Sequence, residues 1–147
     1  MKIIFQKEEF CVERYIEEFS KANSDAGAIT SFIGKVRPKF NKKKIKSLDI
    51  ELYEKMALFQ MKKVIKELKK EISIFDYLII HRYGSLLPGE NIVLVIISSN
   101  HRKEGLKFLE NIIEWLKVKV TFWKKENFND HSEWVEQEKN NKYLSKP

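Results

Sequence analysis

Apolar residues recur along the chain in two rhythms, one of two residues and one of three to four, and the switches between them mark out the elements. Lys2 to Gln6 reads as a short strand. Glu9 to Lys21 follows as a helix, with Val12, Ile16 and Phe19 at helical spacing and the turn Asn23-Ser-Asp-Ala-Gly27 closing it. Ala28 to Val36 is a β-rich apolar run carrying Gly34, where the missing side chain permits a bulge or a close backbone approach. Pro38 ends that run, and Lys39-Phe-Asn-Lys-Lys-Lys44 reads as a polar, basic, mobile loop. Ser47 to Tyr53 sets Leu48, Ile50 and Leu52 against Asp49 and Glu51, the alternation of a strand with one wet face.

From Glu54 to about Glu71, Ala57, Met61, Val64, Ile65, Leu68 and Ile72 form one stripe while lysines fill the opposite face. Tyr77 to Arg82 and Ile92 to Ser98 are apolar enough for central strands, with Ser85 to Glu90 as the turn between them. A third helix, Arg102 to Lys117, carries Leu106, Leu109, Ile113 and Leu116 on one stripe with Phe108, Ile112 and Trp115 beside it, a width that implies burial on two sides. A strand through Lys124 comes next. Strands outnumber helices in the order βα-ββα-ββα-β, which predicts an α+β fold with three main helices and a mixed or antiparallel sheet, spanning 1–147 as a single domain. The segment from Gln137 to Pro147 is polar and without period, a tail that frays or docks on a neighbour.

Composition narrows the function classes. The chain has 147 residues, 43% of them hydrophobic and 33% charged, as expected of a globular domain with a core of its own. No apolar stretch approaches the roughly 20 residues that span a bilayer, and no signal segment opens the sequence, so the expectation is a cytoplasmic protein without a membrane partner. Cys11 is the one cysteine. It excludes an intrachain disulfide, reads as a small buried hydrophobe in the first helix, and leaves no Cys/His spacing for a metal. A formal charge of +7 points to anionic partners. Only four positions are arginine in this lysine-biased chain, Arg14, Arg37, Arg82 and Arg102. A planar guanidinium grips phosphate or carboxylate with two parallel bonds, so its placement matters.

Three clusters could carry chemistry. Asn100 reads as a helix cap, placing His101, Arg102 and Lys103 in the first turn of the third helix. Cations there oppose the helix dipole, whereas a bound phosphate would be held by free N–H groups, dipole and side chains together. Lys117 closes the same helix beside Leu116, at the rim of a prospective pocket. The run from Leu116 to Trp134 sets aromatic rings among lysines and reads either as an active-site wall or as a basic surface hairpin. If the helix end and the following strand lie side by side, Lys117 and Lys124 face one cavity and each depresses the other's pKa, suiting them to acid/base work. Finally, Arg37 ends the second strand in Gly34-Lys-Val-Arg37, where functional side chains often sit. His81, inside an apolar strand, reads as a hydrogen-bonded core residue.

With these clusters in order, the chain resembles the large, catalytic subunit of molybdopterin synthase over nearly its whole length. The resemblance rests on Gly34-Lys-Val-Arg37, Glu51-Leu-Tyr53-Glu-Lys-Met56, His81-Arg-Tyr-Gly84, Pro88-Gly89-Glu90, His101-Arg102, Leu116-Lys117, Phe122-Trp123-Lys124-Lys-Glu126 and Trp134-Val135-Glu136, in shared order and spacing. It implies an α/β-hammerhead-like fold and a cytoplasmic sulfurtransferase that turns cyclic pyranopterin monophosphate into molybdopterin by building its dithiolene. The sulfur would come from the C-terminal Gly-Gly thiocarboxylate of a small ubiquitin-like subunit, with no cofactor of the protein's own. By position, Lys117 and Lys124 match the family's catalytic lysines. Arg37, His101 and Arg102 match residues that hold the pterin and its phosphate, and Phe32 would help wall the pocket. A homodimer carrying one small subunit at each end, a heterotetramer, is also implied.

Two positions depart from the family pattern. Thr121 stands where proline is usual, loosening the approach to Phe122-Trp123. Glu138, beside Lys139, stands where a tail arginine could enter the neighbouring subunit's site. The competing expectations are a small basic nucleic-acid-binding protein, for which aromatics among lysines suit base stacking, and a non-catalytic scaffold relative.

Overall fold

The structure, a computed structural model, describes residues 1–118 and 122–135. Thr121, Glu138 and the tail lie outside them. The elements in chain order are β1 (Lys2–Gln6), α1 (Val12–Ala22), β2 (Ala28–Lys35), β3 (Lys39–Phe40), β4 (Lys43–Lys44), β5 (Ser47–Leu52), α2 (Glu54–Glu71), β6 (Asp76–Arg82), β7 (Gly84–Leu86), β8 (Asn91–Ser99), α3 (Arg102–Val118), β9 (Phe122–Asn127) and β10 (Ser132–Trp134). The expected α+β architecture is there, but its strands divide between two four-stranded sheets and a separate β3–β4 hairpin.

The first sheet runs β1-β6-β8-β2, with β1 parallel to β6 and the other pairs antiparallel. Its strands read as unbroken apolar runs because both faces are covered. Leu78, Ile80, Leu94 and Ile96 pack with Phe19 of α1, while Tyr77, Ile79, Val93, Val95 and Ile97 face the main core with α2 and α3. Gly34 marks the expected irregularity. The register with β8 shifts between Gly34 and Lys35, and a Cβ at Gly34 would lie 2.6 Å from Val93 Cγ1 and 3.4 Å from the Phe32 ring.

The second sheet runs β10-β9-β5-β7 and is one-sided. Leu48 and Ile50 of β5 point into the main core, and residues paired across a ladder share a face. Glu126 stands opposite Leu48, Lys124 opposite Ile50 and Phe122 opposite Leu52, so two charged residues of β9 face inward. Trp123, opposite Glu51, stays 55% exposed.

Several expectations are corrected. α1 starts at Val12, and Cys11 is an exposed residue at its N-cap. Leu106 of α3 is exposed while Gly105, Phe108, Leu109, Ile112 and Leu116 are buried and Ile113 and Trp115 pack against the core, so Leu106 alone leaves the expected apolar face. The turn after β6 contains β7, held by β5. The basic segment is a hairpin whose two-residue turn, Asn41-Lys42, has both φ angles positive (47° and 67°), the primed-turn geometry that matches strand twist.

Candidate active site

A cavity of about 360 Å³ opens where the end of β2, the end of α3 and the inner face of β9 meet. Its charged lining is Lys35, Arg37, Lys117, Lys124 and Glu126, over a floor that includes Val36, Ile45, Leu48, Ile92, Leu116 and Phe122. Two antiparallel neighbours and a connecting helix explain the convergence. β8 feeds α3, which returns alongside β2, so the last turn of α3 arrives where β2 ends. The strand phase of β9 supplies the other wall.

Lys117 and Lys124 therefore share one cavity, because the helix end and the strand do lie side by side. Burial is the main reason that the Lys124 ammonium is disfavoured and its pKa lowered, and the nearby Lys117 charge adds to it. No described carboxylate pairs with Lys124. The buried Glu126 carboxylate is taken by Arg37 instead, whose Nη2 and Nε donate to Oε1 at 2.9 and 3.3 Å. The guanidinium also stacks over Phe40 at 4.2 Å. Held on two sides, Arg37 keeps three further N–H groups that bond no described residue and can meet an anion in the cavity.

Beneath Lys124, His81 lies stacked on Phe122 with ring centroids 4.0 Å apart. Its Nδ1–H donates to the Arg82 carbonyl at 2.8 Å. Burial, and secondarily the Lys124 charge, push its pKa down to about 3, so the imidazole is neutral. Arg82 beside it is buried and spoken for by the Lys7 and Asn91 carbonyls and by Glu90. Both residues are structural, as the apolar strand around them suggested.

The remaining site candidates lie apart in the single chain. α3 begins at Arg102, one residue later than an Asn100 cap would set it. His101 and Arg102 are thus separated from Lys117 by the length of the helix, roughly 22 Å at 1.5 Å per residue. Phe32 packs against the main core and Gly34 and is not part of the cavity lining. The residue that sequence reasoning passed over is Glu126. It stood inside a matching motif, and the alternation Phe122, Lys124, Glu126 was the signal that it shares the lysine's face.

Comparison with known proteins decides the family. The model of the MoaE protein family matches residues 5–119. The chain belongs to this family. The molybdopterin synthase catalytic subunit of Pyrococcus abyssi is 34% identical over 136 residues, covering 92% of this chain and 90% of that protein. Among solved structures, molybdopterin synthase from Staphylococcus aureus superposes with a TM-score of 0.83 at 33% identity, covering 92% of this chain and 98% of the other. A chain from the Helicobacter pylori complex of subunits 1 and 2 of molybdopterin-converting factor shares the fold, with a TM-score of 0.76 at 20% identity over 92% of this chain and 91% of that one. MoaE membership displaces the nucleic-acid alternative. Among the described residues no helix is long and apolar enough to cross a membrane, and no group of His, Cys, Asp and Glu could hold a metal.

Proposed function

We propose that this MoaE-family enzyme converts cyclic pyranopterin monophosphate to molybdopterin in the cytoplasm, using sulfur delivered as the C-terminal thiocarboxylate of a small ubiquitin-like subunit. The observation that carries the reading is the meeting of Lys117, Lys124 and Arg37 in one cavity. A dithiolene needs two sulfurs and each carrier tail brings one, so the cavity must accept a tail twice. The ammonium of Lys117 offsets the charge that develops as the thiocarboxylate attacks. Lys124, whose protonated form is disfavoured, takes and returns a proton. Arg37, aimed by Glu126 and Phe40, receives the substrate's anionic part.

His101 and Arg102 join the site from a second copy. The outer edge of β2 has no bonded strand among the described residues, and Ile33 on it and Leu106 on the adjoining helix are exposed apolar side chains. β2 runs from the start of α3 to the cavity. A two-fold contact along that edge would therefore carry His101 and Arg102 of the partner subunit toward Arg37, and Phe32 would sit near the seam.

The test is to mix the chain with thiocarboxylated small subunit and cyclic pyranopterin monophosphate and assay the dithiolene product. Product that vanishes in a folded Lys117→Ala protein supports the mechanism, and full activity in that variant removes it. Arg102→Ala should chiefly raise KM. Mixing inactive Lys117→Ala with Arg102→Ala should restore part of the activity, since one site of a mixed dimer escapes both changes; no recovery would sink the composite site.

A further inference from the structure

One strongly charged feature has no part in the chemistry above. Between Pro38 and Ser47 the chain carries Lys39, Lys42, Lys43, Lys44 and Lys46 with no acidic residue among them. All five are exposed, and none forms an ion pair with a described residue. Lys43 lies near Asp130, which is already bonded to His131. The hairpin is anchored to the cavity wall. Arg37 and Ile45, at its two roots, both line the cavity, the Ile45 N–H donates to the Pro38 carbonyl at 2.9 Å, and the Lys46 N–H donates to Asn127 at 2.7 Å.

Its local construction works against its own stability. Lys39 stands directly opposite Lys44, a like-charge pair across a ladder. At the turn, a lysine rather than glycine occupies a φ of 67°. Neither choice improves the hairpin, yet together they present a dense positive surface in a fixed shape beside the cavity entrance. Substrate phosphate is already served by Arg37, whereas a surface this wide fits a macromolecule.

We infer that the β3–β4 hairpin is an electrostatic docking arm for an acidic face on the small carrier subunit, next to the tail that enters the cavity. The inference rests on the proposed function, since it presumes a carrier protein. Charge at the edge of an interface acts mainly on the rate of encounter and on its salt dependence. The arm sets how fast the carrier arrives, and the cavity does the rest.

The experiment measures association of the cognate small subunit, with its carboxylate C-terminus, to the native chain and to a variant combining Lys39→Gln, Lys42→Gln, Lys43→Gln and Lys44→Gln. At low ionic strength the variant should associate about tenfold more slowly or worse, within the range electrostatic steering provides. The gap should close near 1 M salt. The matching four-fold Lys→Arg variant should associate like the native chain, and a peptide of the carrier's last residues should bind all three alike. The kcat at saturating carrier should not change. Equal association of the native and Gln chains would overturn the inference alone, as would a Gln variant whose defect is a raised KM for the pterin or lost binding to single-stranded DNA. A native chain that fails to bind the carrier at all would overturn both the inference and the function it rests on.

Discussion

The two four-stranded sheets handle buried charge in opposite ways. In the first, His81 is neutral and Arg82 is enclosed by two carbonyls and Glu90, so nothing charged is left wanting a partner. In the second, the inner face of β9 carries a carboxylate and an ammonium two residues apart, and the carboxylate is bonded to Arg37. Lys124 is left with a like-charged neighbour. Half-burying an ammonium beside a like charge costs stability and lowers its proton affinity, a feature of the second sheet that the first does not share.

Lys124→Met tests the second sheet most severely. Turnover should fall by about 10²–10⁴-fold, the usual worth of a positioned acid or base. Thermal unfolding should stay the same or shift upward, because a half-buried charge beside a like charge becomes an apolar side chain of similar size. A large drop in Tm with proportionate activity would make Lys124 structural. The converse change is Ile79→Ala in the first sheet, where a fully buried side chain leaves a cavity. It should cost about 2–5 kcal/mol in denaturant unfolding, with kcat per folded molecule unaltered.

Acid sharpens the contrast further. Because His81 is held neutral, the unfolded chain binds a proton between pH 6.5 and about 3 that the folded chain refuses. Stability therefore falls as pH drops through that window, by up to about 1.4 kcal/mol per pH unit from this residue. His81→Phe should flatten the dependence of unfolding free energy on pH there, and an unchanged slope would mean the imidazole is not buried neutral. The smallest effect belongs to the surface. Arg14→Ala, which removes an exposed pair with Glu18, should leave Tm unmoved in a melting experiment.

Much of this was legible in the chain. α2 was readable because Ala57, Met61, Val64, Ile65 and Leu68 keep one helical phase, and β5 because Leu48, Ile50 and Leu52 alternate with Asp49 and Glu51. That Lys117 and Lys124 meet was legible only as a condition, that the end of the third helix and the following strand lie side by side. Three other features were not legible, for physical reasons. Leu106 is apolar yet exposed, and periodicity cannot tell a core position from a contact surface. The β3–β4 hairpin has a primed turn without glycine, so it reads as loop. His101 and Arg102 read as an anion site in sequence, but a helix of seventeen residues sets them far from the cavity of their own chain, and local sequence does not show that distance.

The parallel pairing of β1 with β6, Lys2 beside Leu78 and Gln6 beside Arg82, has a bearing on how the molecule is made. β1 leaves the ribosome well before β6 and cannot settle until that partner has appeared, and pairings over such separations form slowly. Meanwhile the apolar run of β1 lies open to other nascent chains. Crowded, rapid synthesis should then favour aggregation over assembly, and slower synthesis at lower temperature should raise the yield of correctly folded protein.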